Sequence, residues 1–436
     1  MPSAFPELDF PNGLALLEAW QDGDATARRR LGAVIEAAIA GELDDSFRWR
    51  APSDRVHVTA SVHMLALAIL HDLHATDSRA FYTTDPWRYA RVNLAVNRLV
   101  GADKAYMTWA LYAFTCEALG QKMMYPDRFP PGADPDAVLV DADSWPDITT
   151  PDFTTGIPAI ITRILEATEA LTGMAPLLQL SAPYSLAADI YGQEALLADV
   201  VNAPERVNAL LDHLGDVVLG PWMAAFFARF PNGWVELSDA SGSPFFIGPE
   251  NCRDMAIRSI RRMLAGQPWA QRVFDCNFRG DFVTEAVRRN RSSRRRAQTP
   301  PPSAISLAEL TEAKVGVCPH FIMRLEADKV AVGFYRDQAI ARALPLTCGI
   351  GSPQIDTGRI ADLSMAQAEL GAMARELAGA IGETCAHIGA PTPEQLAQPW
   401  PSHIYFEDIS AQSHFGLIRT IITNIRAAGA LPATAP

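Results

Sequence analysis

The stretch Leu177–Pro183, with the sequence LLQLSAP, indicates the fold class. It is a short apolar run that ends in a turn, and a helical pattern follows it to about Asp199. The same succession recurs at Trp234–Leu237, which is followed by a helix from about Gly248, and Arg272–Cys276 is a third strand-like run. Strand, loop and helix therefore repeat at the spacing of a parallel sheet, which predicts an α/β fold.

The residues upstream of these units have a different pattern. Gly13–Trp20 and Arg30–Ile39 carry apolar residues at helical spacing, and Val58–Leu73 continues in the same way. From about residue 100, short β-prone runs followed by amphipathic helices replace this pattern. We therefore predict an N-terminal helical segment at residues 1–95 and a barrel of strand and helix units at residues 96–436.

Composition restricts the class of protein. The chain has 436 residues, of which 49% are hydrophobic and 20% are charged, as in globular proteins. Its 37 basic and 50 acidic side chains give a net charge of −13, which disfavours nucleic acids and anionic membrane surfaces as partners. No apolar run approaches the roughly 18 residues of a membrane-spanning helix, and the first residues lack a signal-peptide pattern. We expect a soluble, cytoplasmic protein.

Two acidic residues are candidates for acid–base chemistry. In a barrel of such units, polar residues at the carboxyl ends of the strands face the active site. Asp239 follows the strand at Trp234–Leu237, and Asp189 lies in the helix after Pro183. Each could act as a general acid or base or could anchor a substrate, although a loop aspartate is more commonly a helix cap or a turn residue.

The cysteines offer a second kind of chemistry. Six cysteines in a chain of this length do not form a disulfide scaffold. Cys276 ends a strand-like run, Cys348 precedes a Gly-rich turn, and Cys318 and His320 lie at the end of another predicted strand. Because thiolates and imidazoles are zinc ligands, Cys276, Cys348 and His320 could form a zinc site with one open position; the alternative is that the cysteines only pack in the core.

Several passages resemble the uroporphyrinogen decarboxylase-like superfamily. Ser181–Ala188 and Tyr191–Val207 are similar to its passage of Gly-Pro-aromatic, Gly-x-Glu and Asp-Pro-Glu motifs. Leu237–Glu250 is similar to its strand and loop with Asp and Ser-Pro-Glu, and Cys116–Lys122 is similar to its Ala-Leu-Gly-Cys-Lys region. The resemblance is strongest over residues 177–265. It implies a (β/α)8 TIM barrel with an N-terminal helical extension.

The decarboxylase branch of that superfamily fits this chain less well. Uroporphyrinogen decarboxylases carry an Arg-rich N-terminal motif that clamps substrate carboxylates, and this chain lacks it. Asp189 stands where those enzymes have an aromatic hydroxyl, and Cys348-Gly349 stands at their late Gly-His-Gly. These substitutions argue against decarboxylation of a tetrapyrrole.

The other branch comprises zinc-dependent methyltransferases, which move a methyl group between a corrinoid or a methylated donor and a thiol. They bind zinc through a His-x-Cys motif and a later cysteine, and Cys276 and Cys348 match the two cysteines in context and order. Phe274 occupies the position of the expected histidine, so His320 or Asp275 would supply the third ligand.

The resemblance thus implies a methyltransferase or demethylase in which zinc activates a thiol that attacks a methyl group on a corrinoid or a methoxy-aromatic donor. Asp239 would position the substrate or move a proton, with Asp189 and Tyr184, the aromatic residue of the motif, as further catalytic candidates. The alternative is a metal-free, decarboxylase-like C–C lyase that acts on a small aromatic substrate, with Asp189 or Asp239 as the proton donor. A non-catalytic ligand-binding barrel is a third hypothesis. The expected partners are a small-molecule substrate and a corrinoid protein, and the resemblance makes a homodimer reasonable.

Overall fold

Parallel strands form two arcs of a (β/α)8 barrel, as predicted. A computed structural model describes residues 5–49, 55–275, 305–325, 330–400, 403–429 and 431. Four strands, in the order β1, β9, β8, β7, form one parallel arc, and β4, β5 and β6 form the other. An antiparallel pair, β2 and β3, lies outside the arcs. The strands are β1 (Val58–Ala60), β2 (Met123–Met124), β3 (Gly132–Ala133), β4 (Leu177–Ser181), β5 (Trp234–Ser238), β6 (Val273–Asp275), β7 (Ile322–Arg324), β8 (Leu346–Ile350) and β9 (Ile404–Phe406).

Helices make up most of the remaining structure. Two pairs of consecutive helices are joined by π-helical segments, at Gly215–Leu219 and Cys252–Ile257. The helices are α1 (Asn12–Gln21), α2 (Ala25–Ala40), α3 (His63–His74), α4 (Ser78–Thr83), α5 (Pro86–Leu99), α6 (Leu111–Glu117), α7 (Gly156–Thr172), α8 (Pro183–Tyr191), α9 (Gln193–Asn202), α10 (Pro204–Leu214), α11 (Gly220–Arg229), α12 (Pro244–Asn251), α13 (Arg258–Leu264), α14 (Leu307–Val315), α15 (Val332–Arg342), α16 (Ser352–Ile355), α17 (Leu363–Ile388), α18 (Pro393–Leu396) and α19 (Phe415–Ala428). None of the described helices is both long and apolar enough to cross a membrane.

The N-terminal helices have the end signals that their sequence requires. The Asp24 carboxylate accepts hydrogen bonds from the backbone N–H groups of Thr26 and Ala27 and so caps α2. Gly41 ends the same helix in the left-handed conformation, at φ 83°. Helix α1 packs against α2 and against α19, so the first and the last of the described helices lie together.

The helix predicted over Val58–Leu73 is wrong in its first residues. Val58–Ala60 forms β1, and α3 begins only at His63. The reason is tertiary: β1 pairs in parallel with β9, a partner that local periodicity cannot reveal. A barrel strand therefore lies before the boundary that we predict at residues 95 and 96, and that boundary stays a prediction.

The strand predicted to end at Cys318 and His320 is also displaced. Val315 is the last residue of α14, which a Ser306–Glu309 capping box begins. A turn follows the helix, and β7 begins at Ile322. Cys318 and His320 therefore precede a barrel strand, whereas the sequence analysis placed them at the carboxyl end of one.

Asp103 connects β1 to the C-terminal helix. Its carboxylate accepts hydrogen bonds from the backbone N–H of Val58 at 2.9 Å, from Arg55 at 2.6 Å and from Arg426 at 3.1 Å. The Asp103 side chain is only 7% exposed. These bonds fix the first strand of the barrel against α19.

We expect Asp103→Asn to lower the free energy of unfolding by about 2 kcal/mol, because a largely buried carboxylate loses two charge-assisted hydrogen bonds. Denaturant titration measures the change. Glu166→Gln is the matched control, since Glu166 pairs with Arg229 at the surface, and it should cost less than about 1 kcal/mol. Equal losses in the two variants would contradict this role of Asp103.

Candidate active site

A cavity of about 310 Å³ opens at the carboxyl ends of β1, β4, β5 and β9. This is the end of a (β/α)8 barrel at which active sites form. Its wall consists of polar strand-end residues, carboxyl groups and aromatic rings. The lining residues are Ser61, His63, Thr108, Trp109, Leu111, Tyr112, Gln179, Ser181, Ser185, Asp189, Glu236, Ser238, Ala240, Ser241, Leu325, Tyr405, Glu407 and Asp408.

Glu236 and Gln179 lie opposite each other in the sheet. They are register partners on β5 and β4, so their side chains point to the same face of the sheet. Gln179 Nε2 donates a hydrogen bond to Glu236 Oε2 at 3.1 Å, and the Tyr106 hydroxyl donates another to the same oxygen. Both side chains are buried and line the cavity. The pairing fixes a carboxyl group inside the barrel.

Asp239 lies directly behind the cavity wall. Asp239 Oδ1 accepts hydrogen bonds from the Ser185 N–H at 3.0 Å and from the Ser185 hydroxyl at 2.9 Å. Ser185 Oγ in turn accepts the N–H of Ser241 at 3.1 Å. Burial raises the pKa of Asp239 to about 6, and the hydrogen bonds from Ser185 act in the opposite direction. Asp239 therefore positions Ser185 and Ser241, which line the cavity.

Asp189 faces the cavity itself, one helical turn after Ser185 on α8. Its Oδ2 atom is buried and has no hydrogen-bond partner among the described residues. Burial raises the pKa of Asp189 to about 7, because desolvation disfavours the carboxylate. Both protonation states are therefore accessible near neutral pH, as a general acid or base requires.

Tyr184 does not line the cavity. Its side chain is fully buried in the main hydrophobic core, and its hydroxyl has no hydrogen-bond partner among the described residues. Burial raises the pKa of Tyr184 above its usual value. The charge of nearby Asp239 acts in the same direction on the pKa of Tyr184, and the catalytic role of this residue stays a prediction.

The end of β9 supplies two more carboxyl groups, Glu407 and Asp408. Asp408 adopts φ 49°, a left-handed conformation that is uncommon outside glycine and is often found at functional sites. Ser61, which follows β1, donates its hydroxyl to Asp408 Oδ1 at 3.0 Å. His63 Nδ1 lies 2.6 Å from the Tyr82 hydroxyl, and burial lowers the pKa of His63 to about 4, so this imidazole is neutral at pH 7.

Cys348 lies on the opposite face of β8 from the cavity. Its side chain belongs to the hydrophobic core with Leu346 and Ile350, the residues two positions away on the same strand. The intervening Gly349 is the register partner of Tyr405, which lines the cavity. Burial raises the pKa of the Cys348 thiol to about 12. Cys276 lies outside the described residues.

His320 lies near the amino end of the barrel. Its ring stacks on Trp400 with 5.2 Å between ring centroids, and Trp234 contacts it edge-on at 4.9 Å. Trp234 is the first residue of β5, whereas the central and last residues of that strand line the cavity. Within the described part of the chain, no group of three His, Cys, Asp or Glu side chains is arranged to hold a metal ion. The structure therefore does not bring His320 and Cys348 together, and the two do not fit a shared zinc site.

Glu236 and Gln179 were not among the site residues predicted from the sequence. Each is the central residue of its short strand, LLQLS or WVELS, and has apolar residues on both sides. A buried polar residue in such a run is the signal that could have indicated them.

Comparison with known proteins agrees with this architecture. Residues 73–228 match the family model described as uroporphyrinogen decarboxylase (URO-D). A methylated-thiol--coenzyme M methyltransferase of Methanosarcina mazei is 31% identical over 152 residues, which are 34% of this chain and 40% of that protein. The match thus spans about two fifths of the relative's length. A solved methyltransferase from Methanosarcina mazei superposes with a TM-score of 0.57 at 12% identity, covers 91% of this chain and 98% of its own, and shows the shared fold.

Gly242 provides a direct test of the Asp239 arrangement. A Cβ atom at Gly242 would lie 2.5 Å from Asp239 Oδ2, so Gly242→Ala must displace the carboxylate. We expect a loss of about 1–3 kcal/mol in the free energy of unfolding. Gly379→Ala is the control: nothing lies near its Cβ within helix α17, and alanine there should stabilise the protein by up to about 1 kcal/mol. Thermal denaturation compares the two variants, and stabilisation by both would contradict the assigned packing.

Proposed function

We propose that this chain, which matches the uroporphyrinogen decarboxylase family model over residues 73–228, is an enzyme that transfers a methyl group from a methylated small molecule to a thiol. The observation that carries the proposal is Asp189, a desolvated carboxyl group with a pKa of about 7 in a cavity at the carboxyl end of the barrel. The relative from Methanosarcina mazei supports the reaction class, because its name states a methylated thiol and coenzyme M.

Methyl transfer to a thiol requires proton movement at defined atoms. The thiolate forms the new S–C bond with its own electron pair, while the pair of the broken bond stays on the heteroatom of the donor. The thiol must lose a proton, and a leaving thiolate or alkoxide must gain one. Asp189 can perform either transfer near neutral pH. The serine side chains that Asp239 holds in the wall would orient the substrate.

The size of the cavity supports a small donor. About 310 Å³ is at the lower end of the range for small-molecule sites, which begins near 300 Å³. Four of the lining residues are acidic, an arrangement that repels a polycarboxylate. Both properties disfavour a tetrapyrrole as the substrate.

The resemblance also implies zinc, and a corrinoid as methyl donor or as the cofactor of a partner protein. Zinc would stabilise the attacking thiolate. Because Cys348 faces the core and His320 lies at the other end of the barrel, we assign no step to zinc. That the methyl donor is a corrinoid and that the protein forms a homodimer are further proposals that rest on the resemblance.

One observation favours a second function, that of a metal-free lyase. A carboxyl group with a pKa of about 7 is half protonated at neutral pH and can donate a proton to a carbanion. In a decarboxylation, the C–C bond breaks with loss of CO₂, the electron pair remains on the substrate carbon, and Asp189 would protonate that carbon.

Mass spectrometry of products separates the two functions. The protein is incubated with deuteromethyl-labelled dimethyl sulfide and coenzyme M, and we expect the label on the coenzyme M sulfur. Asp189→Asn should lower the rate about 100-fold, because an amide cannot exchange the proton. Glu369→Gln, an exposed substitution on α17, is the control and should keep the wild-type rate. Release of CO₂ from an aromatic carboxylic acid without label transfer would instead support the lyase.

The role of Cys348 is tested separately. Cys348→Ala should keep the rate of methyl transfer within about twofold and cost about 1 kcal/mol of stability, because the thiol packs in the core. Metal content is measured by mass spectrometry in the wild type, in Cys348→Ala and in Cys276→Ala. Zinc in the wild type that is lost together with activity in Cys348→Ala would make this residue a ligand and overturn its placement.

A further inference from the structure

The described lining of the cavity is rich in acidic side chains. Among its lining residues, Asp189, Glu236, Glu407 and Asp408 carry carboxyl groups, and none is a lysine or an arginine. The imidazole of His63 is neutral at pH 7, because burial lowers its pKa to about 4. The described lining residues therefore include four carboxyl groups and no lysine or arginine.

Two buried oxygen atoms of the wall, on Ser181 and Gln179, lack hydrogen-bond partners among the described residues. Ser181 is fully buried, and its Oγ has no hydrogen-bond partner among the described residues. Gln179 is 1% exposed; its Nε2 donates to Glu236, and its Oε1 has no such partner. A buried acceptor without a partner costs about 1–3 kcal/mol, so these atoms indicate a ligand that presents positive charge or polarised hydrogens to the wall.

Aromatic rings complete the cavity. Trp109, Tyr112 and Tyr405 line it, and Tyr405 is held by an edge contact with Tyr106 at 5.2 Å between ring centroids. Aromatic rings attract cations through their negative faces, and quaternary ammonium groups are recognised in this way together with carboxylates. Carboxyl groups, free acceptors and aromatic rings thus favour the same class of ligand.

We propose that this cavity recognises a small methylated cation, a quaternary ammonium or sulfonium group, as the methyl donor. The role of the cation as methyl donor rests on the proposed function, whereas its recognition by the cavity does not depend on turnover. With such a donor, the thiolate attacks a methyl carbon, the electron pair of the broken C–N or C–S bond stays on the heteroatom, and the leaving group departs as a neutral amine or thioether. The proton of the acceptor thiol passes to a carboxylate, and the leaving group needs none.

The experiment uses choline and its neutral isostere 3,3-dimethylbutan-1-ol as probes in isothermal titration calorimetry. We expect choline to bind at least tenfold more tightly to the wild type. Asp408→Asn and Glu236→Gln should each reduce this preference at least threefold, and Glu369→Gln should retain it. Asparagine tolerates the left-handed backbone of residue 408, so Asp408→Asn keeps the proposal testable even if Glu236→Gln fails to fold.

The outcomes separate this proposal from the proposed function. Equal affinity for the two probes, binding of neither, or tighter binding of methanesulfonate would overturn cation recognition. Selective binding of choline, with no label transfer from any donor, would support the recognition and refute methyl transfer. Label transfer from dimethyl sulfide without preference for choline would support methyl transfer and refute cation recognition.

Discussion

The hydrogen bonds that Glu236 accepts from Tyr106 and Gln179 place a carboxyl group in the interior of the barrel, and the rest of the site depends on this arrangement. Successive side chains of β4 and β5 point to opposite faces of the sheet, so every second side chain points into the barrel. Because the amide nitrogen of Gln179 is committed to Glu236, its oxygen remains for the cavity. The same two strands end at Ser181 and Ser238, so one register aligns the Gln179–Glu236 pair inside the barrel and the two serines at the strand ends.

Burial then determines what the carboxyl groups of the site can do. Asp189 lies on α8, and Asp239 accepts hydrogen bonds from Ser185 of the same helix. The environments of the two carboxyl groups differ. Asp239 accepts two hydrogen bonds from Ser185, which oppose the desolvation that raises its pKa. Asp189 Oδ2 has no partner among the described residues, and desolvation alone accounts for its higher pKa. The first residue is suited to positioning the wall and the second to exchanging a proton.

LLQLSAP and its repeats carry the local signals of strand, turn and helix, which predicted a parallel α/β fold, and the family resemblance implied a (β/α)8 barrel. The sequence also indicated Asp239, which directly follows β5, and Asp189, which lies on the helix after β4. It could not orient Cys348, since a shift of one residue along a strand exchanges the inner and outer faces, and here Gly349 faces inward. It misplaced His320 because the run before it is the end of a helix, and it missed Glu236 because pairing between strands is not a local property.

Direct titration of Asp189 tests the central claim most closely, namely that a desolvated carboxyl group at the barrel mouth changes protonation state near neutral pH. Carbon-13 NMR of protein labelled at the aspartate side-chain carboxyl carbon follows each residue as the pH changes. We expect one resonance with a midpoint near pH 7 that is absent from Asp189→Asn. A midpoint for Asp189 near 4, the usual value for an aspartate in water, would contradict it.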